Sequence, residues 1–457
     1  DMSMQPAVQR FRACRYETLG FKVWAFAVFL TAVVTIRLMN SSVWSEGCPP
    51  ANGFEQLARW GSLAWCATLP AVVVAISAMF LPKRPEPTIE RWYEAPEVAW
   101  RIVSRGRNRD ALADTVEAVR RAMAGAPLFR YRIEVVTDEV VDLDPADDLF
   151  CYVVPDEYAT DNSSRWKARA LVYAISQSPI ARTDWIVHLD EESWPSRSCV
   201  HGVATYIARH QQRTRPPIGQ GAILYFRHLT GDRLMPKVLT LADSLRTGDD
   251  ICRFRLQYRM GAAPMGMHGS YILVRNDVEQ TVGLDVGSDG SITEDAWFAM
   301  AAQQAGHKFD WVDGYVVEQA PERVSDLVKQ RRRWWNGLFK VALYAPCPPW
   351  VRVTLFSFLL LWGAAVFGTV YTVMNAFVGL ETLPAIDWIG SICFGWYVTM
   401  YAMGLRLNLA GLEDEEQRRI KPHLRVLAYT AQIMLVPVFG IVEGFAVLYG
   451  IVRPERG

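Results

Sequence analysis

Long apolar runs at both ends of the sequence enclose a charged, mixed segment. Two runs span residues 21–39 and 63–81, and three more span 351–374, 386–409 and 424–450. Each is long enough to cross a bilayer as a helix, and in lipid a helix satisfies its own backbone hydrogen bonds. We therefore predict a domain inserted between two membrane spans before it and about three after it. Buried core helices are the alternative for each run, and a signal peptide is the alternative for the first.

Charged residues around the first two runs predict their orientation. Residues 1–20 are basic, Lys83 and Arg84 follow the second run, and the loop between the runs contains Glu46 and Glu55. The positive-inside rule then places the N-terminus and the middle segment in the cytoplasm. We expect an integral, multi-pass protein, of the plasma membrane in a bacterium or of the endoplasmic reticulum or Golgi in a eukaryote.

The composition excludes some classes of function. The chain has 48 basic and 48 acidic residues, whereas a general nucleic-acid binder carries a basic excess. The eight cysteines form no Cys-x-x-Cys pair, so neither a zinc site nor a disulfide framework is predicted. No feature of the sequence indicates an obligate protein partner.

The middle segment alternates strand and helix patterns. Strands are predicted at 98–103, 131–136, 150–154 and 184–189, and helices at 110–124 and 164–176. This alternation is typical of a Rossmann-like α/β domain with a mixed, mostly parallel sheet covered by helices. The predicted divisions are a tail with two spans at 1–82, the domain at 83–325, an amphipathic interface helix at 326–350, and three spans at 351–457.

Carboxylates follow two of the predicted strands. Asp138 comes after the strand at 131–136, and Asp190, Glu191 and Glu192 come after the strand at 184–189. In open α/β sheets, ligands bind at the carboxyl ends of the strands. An Asp-x-Glu pair there offers two oxygen ligands to a hard cation that also holds substrate phosphates. A solvated acidic turn is the alternative.

Two further motifs lie nearer the C-terminus. The run Asp289-Gly-Ser-Ile-Thr-Glu-Asp295 precedes a predicted helix at 296–305, where the acids could simply favour the helix start. The run Gln330-Arg-Arg-Arg-Trp-Trp335 precedes the third apolar run, where Arg and Trp also suit a membrane interface.

The order of these motifs resembles family 2 inverting glycosyltransferases of the membrane-synthase type, which include cellulose, chitin and hyaluronan synthases and have a GT-A fold. Connecting segments are more similar to the egghead family of β-1,4-mannosyltransferases. These segments are Ser104-Arg-Gly106, Val153-Val-Pro-Asp-Glu-Tyr158, Lys167-Ala-Arg-Ala-Leu171, Leu241-Ala-Asp-Ser-Leu-Arg246 and His268-Gly-Ser-Tyr271. The resemblance implies metal-dependent transfer of mannose from GDP-mannose to a glucosylceramide-like glycolipid at the cytoplasmic membrane face. Arg107 departs from the family pattern, which has a small acidic or neutral residue there.

The resemblance also implies roles for individual residues. Asp295 is the expected catalytic base, and Asp190 and Glu192 are the expected ligands of Mg²⁺ or Mn²⁺. The expected donor-binding residues are Arg105, Asp138, Lys167, Glu191, Gln330 and Arg333. The expected acceptor-binding residues are His268, Gly269, Ser270, Glu294, Trp334 and Glu443.

Physical arguments refine some of these roles. A helix N-terminus should lower the pKa of Asp295, and Glu191 should point away from its neighbours if the strand stays extended. Arg333 can bind a diphosphate in a bidentate manner, and Glu443, an acid within an apolar run, is expected to shape a lipid-acceptor site. Trp334 is expected to stack on the acceptor sugar.

Less specific interpretations apply to several polar residues. Lys167 is equally well explained as a surface lysine, and His188 is best explained as a core histidine. Arg246, Asp249 and Asp250 are expected on a solvated helix face. Two other functions stay open: a processive polysaccharide synthase that uses a UDP-sugar, and a non-catalytic membrane receptor or scaffold.

Overall fold

A computed structural model describes residues 14–42, 53–82, 96–124, 128–378, 384–417 and 419–454. Most of the basic N-terminal tail, the loop with Glu46, and the Lys83-Arg84 pair lie outside these residues. The predicted orientation in the membrane depends on them, so it stays a prediction.

A mixed sheet forms the middle of the chain. The strands are β1 (Glu97–Ser104), β2 (Arg130–Thr137), β3 (Leu149–Val153), β4 (Trp185–Asp190), β5 (Trp194–Pro195), β6 (Ile218–Leu224), β7 (Ile272–Arg275) and β8 (Phe309–Val317). Their spatial order is β3-β2-β1-β4-β7-β6-β8-β5. The pairs β1–β2, β2–β3, β1–β4 and β6–β8 are parallel, while β7 runs antiparallel to β4 and β6, and β5 antiparallel to β8. The predicted α/β class and mixed sheet are confirmed.

The helices follow the chain order. They are α1 (Leu19–Ser42), α2 (Gly53–Ser77), α3 (Arg109–Ala124), α4 (Trp166–Gln177), α5 (Arg197–Gln211), α6 (Leu234–Asp249), α7 (Arg255–Arg259), α8 (Asn276–Val282), α9 (Gly287–Gly290), α10 (Glu294–Gln304), α11 (Val324–Tyr344), α12 (Pro349–Val378), α13 (Pro384–Glu416) and α14 (Pro422–Val452). A π-helical turn, Asp250–Phe254, joins α6 to α7.

The central strands read as continuous apolar runs because both faces of the sheet are covered. In β4, Trp185, Val187 and Leu189 pack with α3 and α5 on one face. Ile186 points to the other face, in the core that contains α4 and much of the helix bundle. His188 is buried on that second face and its Nε2 lies 2.6 Å from Glu279 Oε1, so the expectation of a core histidine is confirmed.

Among the described residues, four helices are long and apolar enough to cross a membrane: segments Leu19–Met39, Trp60–Phe80, Pro349–Ala376 and Pro422–Val452. The predicted span at 386–409 lies in α13, which is not one of them. This helix packs against α1, α2, α6 and α14, and polar residues such as Thr399 and Asn408 are buried in those contacts. A helix surrounded by protein need not be as apolar as one that faces lipid. The number of spans therefore stays open.

Candidate active site

A cavity of about 1170 Å³ opens at the carboxyl ends of the central strands. It continues into the bundle between α2, α12, α13 and α14, where its walls are mostly apolar. Representative lining residues there are Trp65, Val72, Leu361, Val366, Trp396 and Gly440. Every predicted site residue except Ser270 lines this cavity. The structure thus brings together residues as distant in the sequence as Arg105 and Glu443.

Gly269 lies among three of the predicted site residues. A Cβ atom at Gly269 would lie 3.0 Å from Lys167 Nζ, 3.3 Å from Asp295 Oδ2 and 3.6 Å from Asp190 Oδ2. Only a glycine leaves this space open. The predicted base and the predicted metal ligand therefore face the same small volume.

Lys167, at the start of α4, connects the acidic groups. Its Nζ donates to Asp190 Oδ1 at 2.5 Å and to the Gly269 carbonyl at 3.1 Å, and it lies 3.4 Å from Glu294 Oε1. Although burial opposes the charge, Asp190 and Glu294 raise the pKa of Lys167. The same ammonium holds the pKa of Asp190 below its ordinary value despite burial. Lys167 braces the carboxylates and is not a surface lysine.

The acids after β4 do not continue the strand. The strand ends at Asp190, and the Ser193 N–H donates to the Asp190 carbonyl at 3.1 Å. The argument from strand alternation therefore does not apply to Glu191 and Glu192. Glu191 still turns aside, because its carboxylate accepts a hydrogen bond from Ser104 Oγ at the end of β1.

Glu318 is an acid of the cavity that the motif analysis missed. It follows β8, lines the cavity and accepts from the Tyr225 hydroxyl at 3.1 Å. Burial and the nearby carboxylates of Glu318, Asp190 and Glu191 raise the pKa of Glu192 to about 7. The sequence did contain a signal for this residue, namely an acid at the end of an apolar strand. Glu318 follows β8 in the same way that Asp138 follows β2 and Asp190 ends β4.

These carboxylates fit a hard divalent cation. Asp190 and Glu192 offer oxygen ligands, and the crowding that raises the pKa of Glu192 means that a cation would relieve surplus negative charge. No three His, Cys, Asp or Glu side chains of the described chain converge as a complete metal cage. Mg²⁺ in phosphate-transfer sites is commonly held by one or two carboxylates, with substrate phosphates and water completing its shell.

Asp295 lies in the first turn of α10, and its Oδ1 accepts from the Ala296 N–H at 2.7 Å. Burial and the adjacent Glu294 carboxylate nevertheless raise the pKa of Asp295 to about 7, against the lowering effect of Lys167. The expectation that the helix N-terminus would lower this pKa was wrong, because desolvation and a like charge outweigh the helix dipole. A carboxylate that titrates near neutral pH suits a general base.

The predicted donor residues that directly follow β1 and β2 line the same cavity. Asp138 Oδ1 accepts from Arg169 NH2 at 2.9 Å, and Arg105 is exposed. Arg107, the departure from the family pattern, also lines the cavity and pairs with Glu139 at 2.9 Å.

Helix α11 delivers the basic-aromatic motif. Arg333 is exposed to the cavity, and no ion pair or hydrogen bond of the described chain engages it. Gln330 is held by Arg331, whose NH1 donates to Gln330 Oε1 at 2.6 Å. The ring of Trp334 has the guanidinium groups of Arg246 and Arg331 4.3 Å and 4.6 Å from its centroid. Its predicted stacking on an acceptor sugar must therefore compete with these cations.

Glu443 joins α14 to the motif helix. Its Oε1 accepts from Arg331 Nε at 2.7 Å, while Arg331 NH2 also pairs with Asp243 of α6. Arg331 is fully buried, so one guanidinium ties three helices together. Glu443 does face the cavity, but its carboxylate is already engaged.

The segment 268–270 approaches the site by its backbone. His268 Nε2 lies 2.7 Å from Asp250 Oδ1, and Asp250 raises the pKa of His268 although burial opposes this. Ser270 lies behind the cavity wall, where its hydroxyl is 2.8 Å from Ser193 Oγ. The expectation that Ser270 contacts the acceptor is not supported, since its side chain is buried.

Arg246 and its neighbours overturn another expectation. Arg246, Asp249 and Asp250 line the cavity and are buried or nearly so, rather than on a solvated face. The reason is that α6 packs against α13, a helix about 150 residues later in the chain.

Two sequence comparisons match this chain to known glycosyltransferases. Residues 185–409 match the family model described as glycosyl transferase family group 2. The β-1,4-mannosyltransferase egh of Drosophila melanogaster is 27% identical over 94% of this chain and 94% of its own length. The β-1,4-mannosyltransferase bre-3 of Caenorhabditis briggsae is 28% identical over 78% of this chain and 76% of its own length.

Solved glycosyltransferase structures are more distant. The mannosyltransferase PcManGT from Pyrobaculum calidifontis, in complex with GDP-Man and Mn²⁺, is 16% identical with a TM-score of 0.48, and the match covers 80% of this chain and 99% of that one. The sequence matches establish the resemblance inferred from the motifs. The chain is a glycosyltransferase whose residues 185–409 match the family group 2 model and which is similar over most of its length to the β-1,4-mannosyltransferases egh and bre-3.

Proposed function

We propose that the protein transfers mannose from GDP-mannose, with inversion, to a glucosyl lipid at the cytoplasmic face of a membrane. The observation that carries this proposal is the convergence of Asp295, Asp190 and Lys167 on Gly269, in a cavity that continues into apolar helices. The mannosyltransferase relatives support the choice of sugar.

The chemistry needs one base and a stabilised leaving group. The acceptor hydroxyl oxygen attacks the anomeric carbon of mannose as its proton passes to Asp295. The bond from that carbon to the diphosphate oxygen breaks, and the nucleoside diphosphate leaves with the electron pair. Arg333 can bind the departing diphosphate in a bidentate manner. Mg²⁺ or Mn²⁺ held by Asp190 and Glu192 supplies Lewis-acid stabilisation of that group when bound.

The shape of the cavity supports a lipid acceptor. Its polar end contains the carboxylates, and its apolar end lies between α2, α12, α13 and α14. An acceptor with a sugar headgroup and an alkyl tail matches this division, because the tail loses contact with water as the headgroup reaches Asp295.

The test is turnover of GDP-mannose, UDP-glucose and UDP-N-acetylglucosamine by the purified protein with a glucosyl lipid, with Mg²⁺ or Mn²⁺ and again with EDTA. We expect release of GDP, addition of one mannose to the lipid and loss of both in EDTA. Absence of any sugar transfer to the lipid would refute the proposal.

A processive synthase that uses a UDP-sugar is the second candidate. The observation that favours it is the continuation of the cavity into the helix bundle, since a growing polymer must also leave through the membrane helices. Release of UDP with formation of a long polymer would support this function instead. The roles proposed for Asp190 and Asp295 would be unchanged.

A further inference from the structure

Arg246 lies at the polar end of the cavity, between two aromatic rings. It belongs to the last turn of α6, and its guanidinium carbon is 4.7 Å from the ring centroid of Tyr225 and 4.3 Å from that of Trp334. Both distances are in the range of cation–π contacts. Two rings therefore hold the charged group in one place.

The guanidinium has no hydrogen-bonded partner in the described chain. Its nearest carboxylate oxygen, Glu318 Oε2, is 4.0 Å from NH1, and Glu318 already accepts from Tyr225. Arginine presents five N–H donors in a planar fork. Those of Arg246 are left for whatever enters the cavity.

Arg253 provides a contrast within the same cavity. The side chains of Arg246 and Arg253 are each 16% exposed, and Arg253 also lies over a ring, that of Phe358, at 4.6 Å. Arg253, however, donates two hydrogen bonds of 2.5 Å to Asp249. The two residues match in burial and aromatic contact and differ in whether the protein supplies an acceptor.

A guanidinium that is largely removed from water without an acceptor is unfavourable. Glu318, the nearest carboxylate, does not supply this acceptor, because its oxygen stays 4.0 Å from the guanidinium. An anionic ligand would supply hydrogen-bond acceptors to Arg246 and so replace the hydrogen bonds that the guanidinium loses from water. The position of the ligand then follows from the charges around Arg246.

Arg246 stacks on Trp334, the residue next to Arg333 on α11, and both arginines line the cavity that contains Asp190. Within the described residues, Arg333 also has no ion pair or hydrogen bond, and it faces the same cavity. We infer that Arg246 is a second diphosphate-binding residue, which holds the donor's diphosphate together with Arg333. This inference rests on the proposed use of a sugar nucleotide, and it assigns a function to a residue on α6, outside the motif of α11.

The test is nucleotide binding by the full-length protein in detergent with Mg²⁺. Affinities for GDP, UDP and guanosine are measured by calorimetry for the wild type, Arg246→Ala, Arg246→Lys and the matched control Arg253→Ala. We expect Arg246→Ala to weaken binding of the nucleoside diphosphate by about 10- to 100-fold, since a charge-assisted hydrogen-bond pair is lost. Guanosine, which has no phosphate, should bind all variants alike.

Arg246→Lys keeps a cation but lacks the planar fork, so a smaller loss is expected, and it serves where Arg246→Ala fails to fold. Equal affinity of the wild type and both Arg246 variants for the nucleoside diphosphate overturns the inference and leaves the proposed function standing. In the transfer assay, an effect of the Arg246 variants on the KM of the lipid acceptor alone also overturns the inference. Failure of the wild type to bind any nucleoside diphosphate overturns the inference and the proposed function together.

Discussion

The raised pKa of Asp295 predicts an acid limb in the pH dependence of transfer. As the proposed base, Asp295 takes the acceptor's proton only when it is deprotonated, and burial and Glu294 raise its pKa to about 7. The form that is active is therefore lost as pH falls through 7. At pH 6, about one tenth of the enzyme has the base deprotonated, against about nine tenths at pH 8. We expect kcat/KM to fall about fivefold from pH 7 to pH 6 and about tenfold from pH 6 to pH 5.

Glu294→Gln tests the cause of this shift. The variant removes the like charge that raises the pKa of Asp295, so the limb should move to lower pH by about one unit. At pH 6 about half of the base would then be deprotonated, which is about fivefold more activity relative to the variant's own plateau. Glu322→Gln, which replaces an exposed carboxylate paired with Arg233, is the control and should leave the limb in place.

The assay is the initial rate of GDP release at low GDP-mannose from pH 5 to pH 9, since kcat/KM reports groups of the free enzyme. A wild-type limb near pH 4 would mean that Asp295 titrates as an ordinary carboxyl group and would refute the argument from burial. A limb that does not move in Glu294→Gln would show that the charge of Glu294 does not set it.

Three further substitutions test other contacts. Gly269→Ala should keep the fold but lower kcat on the order of 100-fold, because the added methyl group displaces the surrounding site atoms; near-normal kcat would contradict this. Glu443→Gln should reduce lipid transfer and donor hydrolysis equally, because its partner Arg331 positions the motif helix; loss of lipid transfer alone would return Glu443 to an acceptor role. Glu279→Ala should lower the free energy of unfolding by about 3–5 kcal/mol, because the buried guanidinium of Arg101 loses a carboxylate 2.7 Å away; chemical denaturation measures this, and a loss below about 1 kcal/mol would contradict it.

Elements with strong local signals could be predicted from the sequence. The strand predicted at 184–189 is β4 at Trp185–Asp190, and the interface helix predicted within 326–350 is α11 at Val324–Tyr344. The spacing of the apolar residues and the length of the run identify such elements, because the apolar side chains must face a core wherever the element packs. The motif acids were also brought together, since the carboxyl ends of parallel strands meet at one edge of a sheet.

What could not be predicted depends on contacts between distant segments. The burial of α6 comes from α13, so nothing near Arg246 in the sequence indicates that its charge faces a cavity. The pKa of Asp295 was mispredicted for the same reason, because the helix start is visible in the sequence and the desolvation is not. The turn at Asp190–Ser193 also depends on packing, since Ser193 is held by Ser270 from another part of the chain.

Glu443 and Arg331 show how the helix bundle and the site depend on each other. An acid in an apolar run indicated a function, and the structure supplies its partner on the helix that carries Gln330 and Arg333. Because Arg331 is also bound to Asp243 of α6, a shift of α14 would move α6 and α11 together, and with them Arg246 and Arg333. The two guanidinium groups proposed to bind the diphosphate are therefore positioned from the helix-bundle end of the cavity, while Asp190 and Asp295 are positioned by the sheet and by α10. Transfer requires the guanidinium groups and the carboxylates in one geometry. The ion pairs of Arg331 with Asp243 and Glu443 are the contacts that align these two sets of groups.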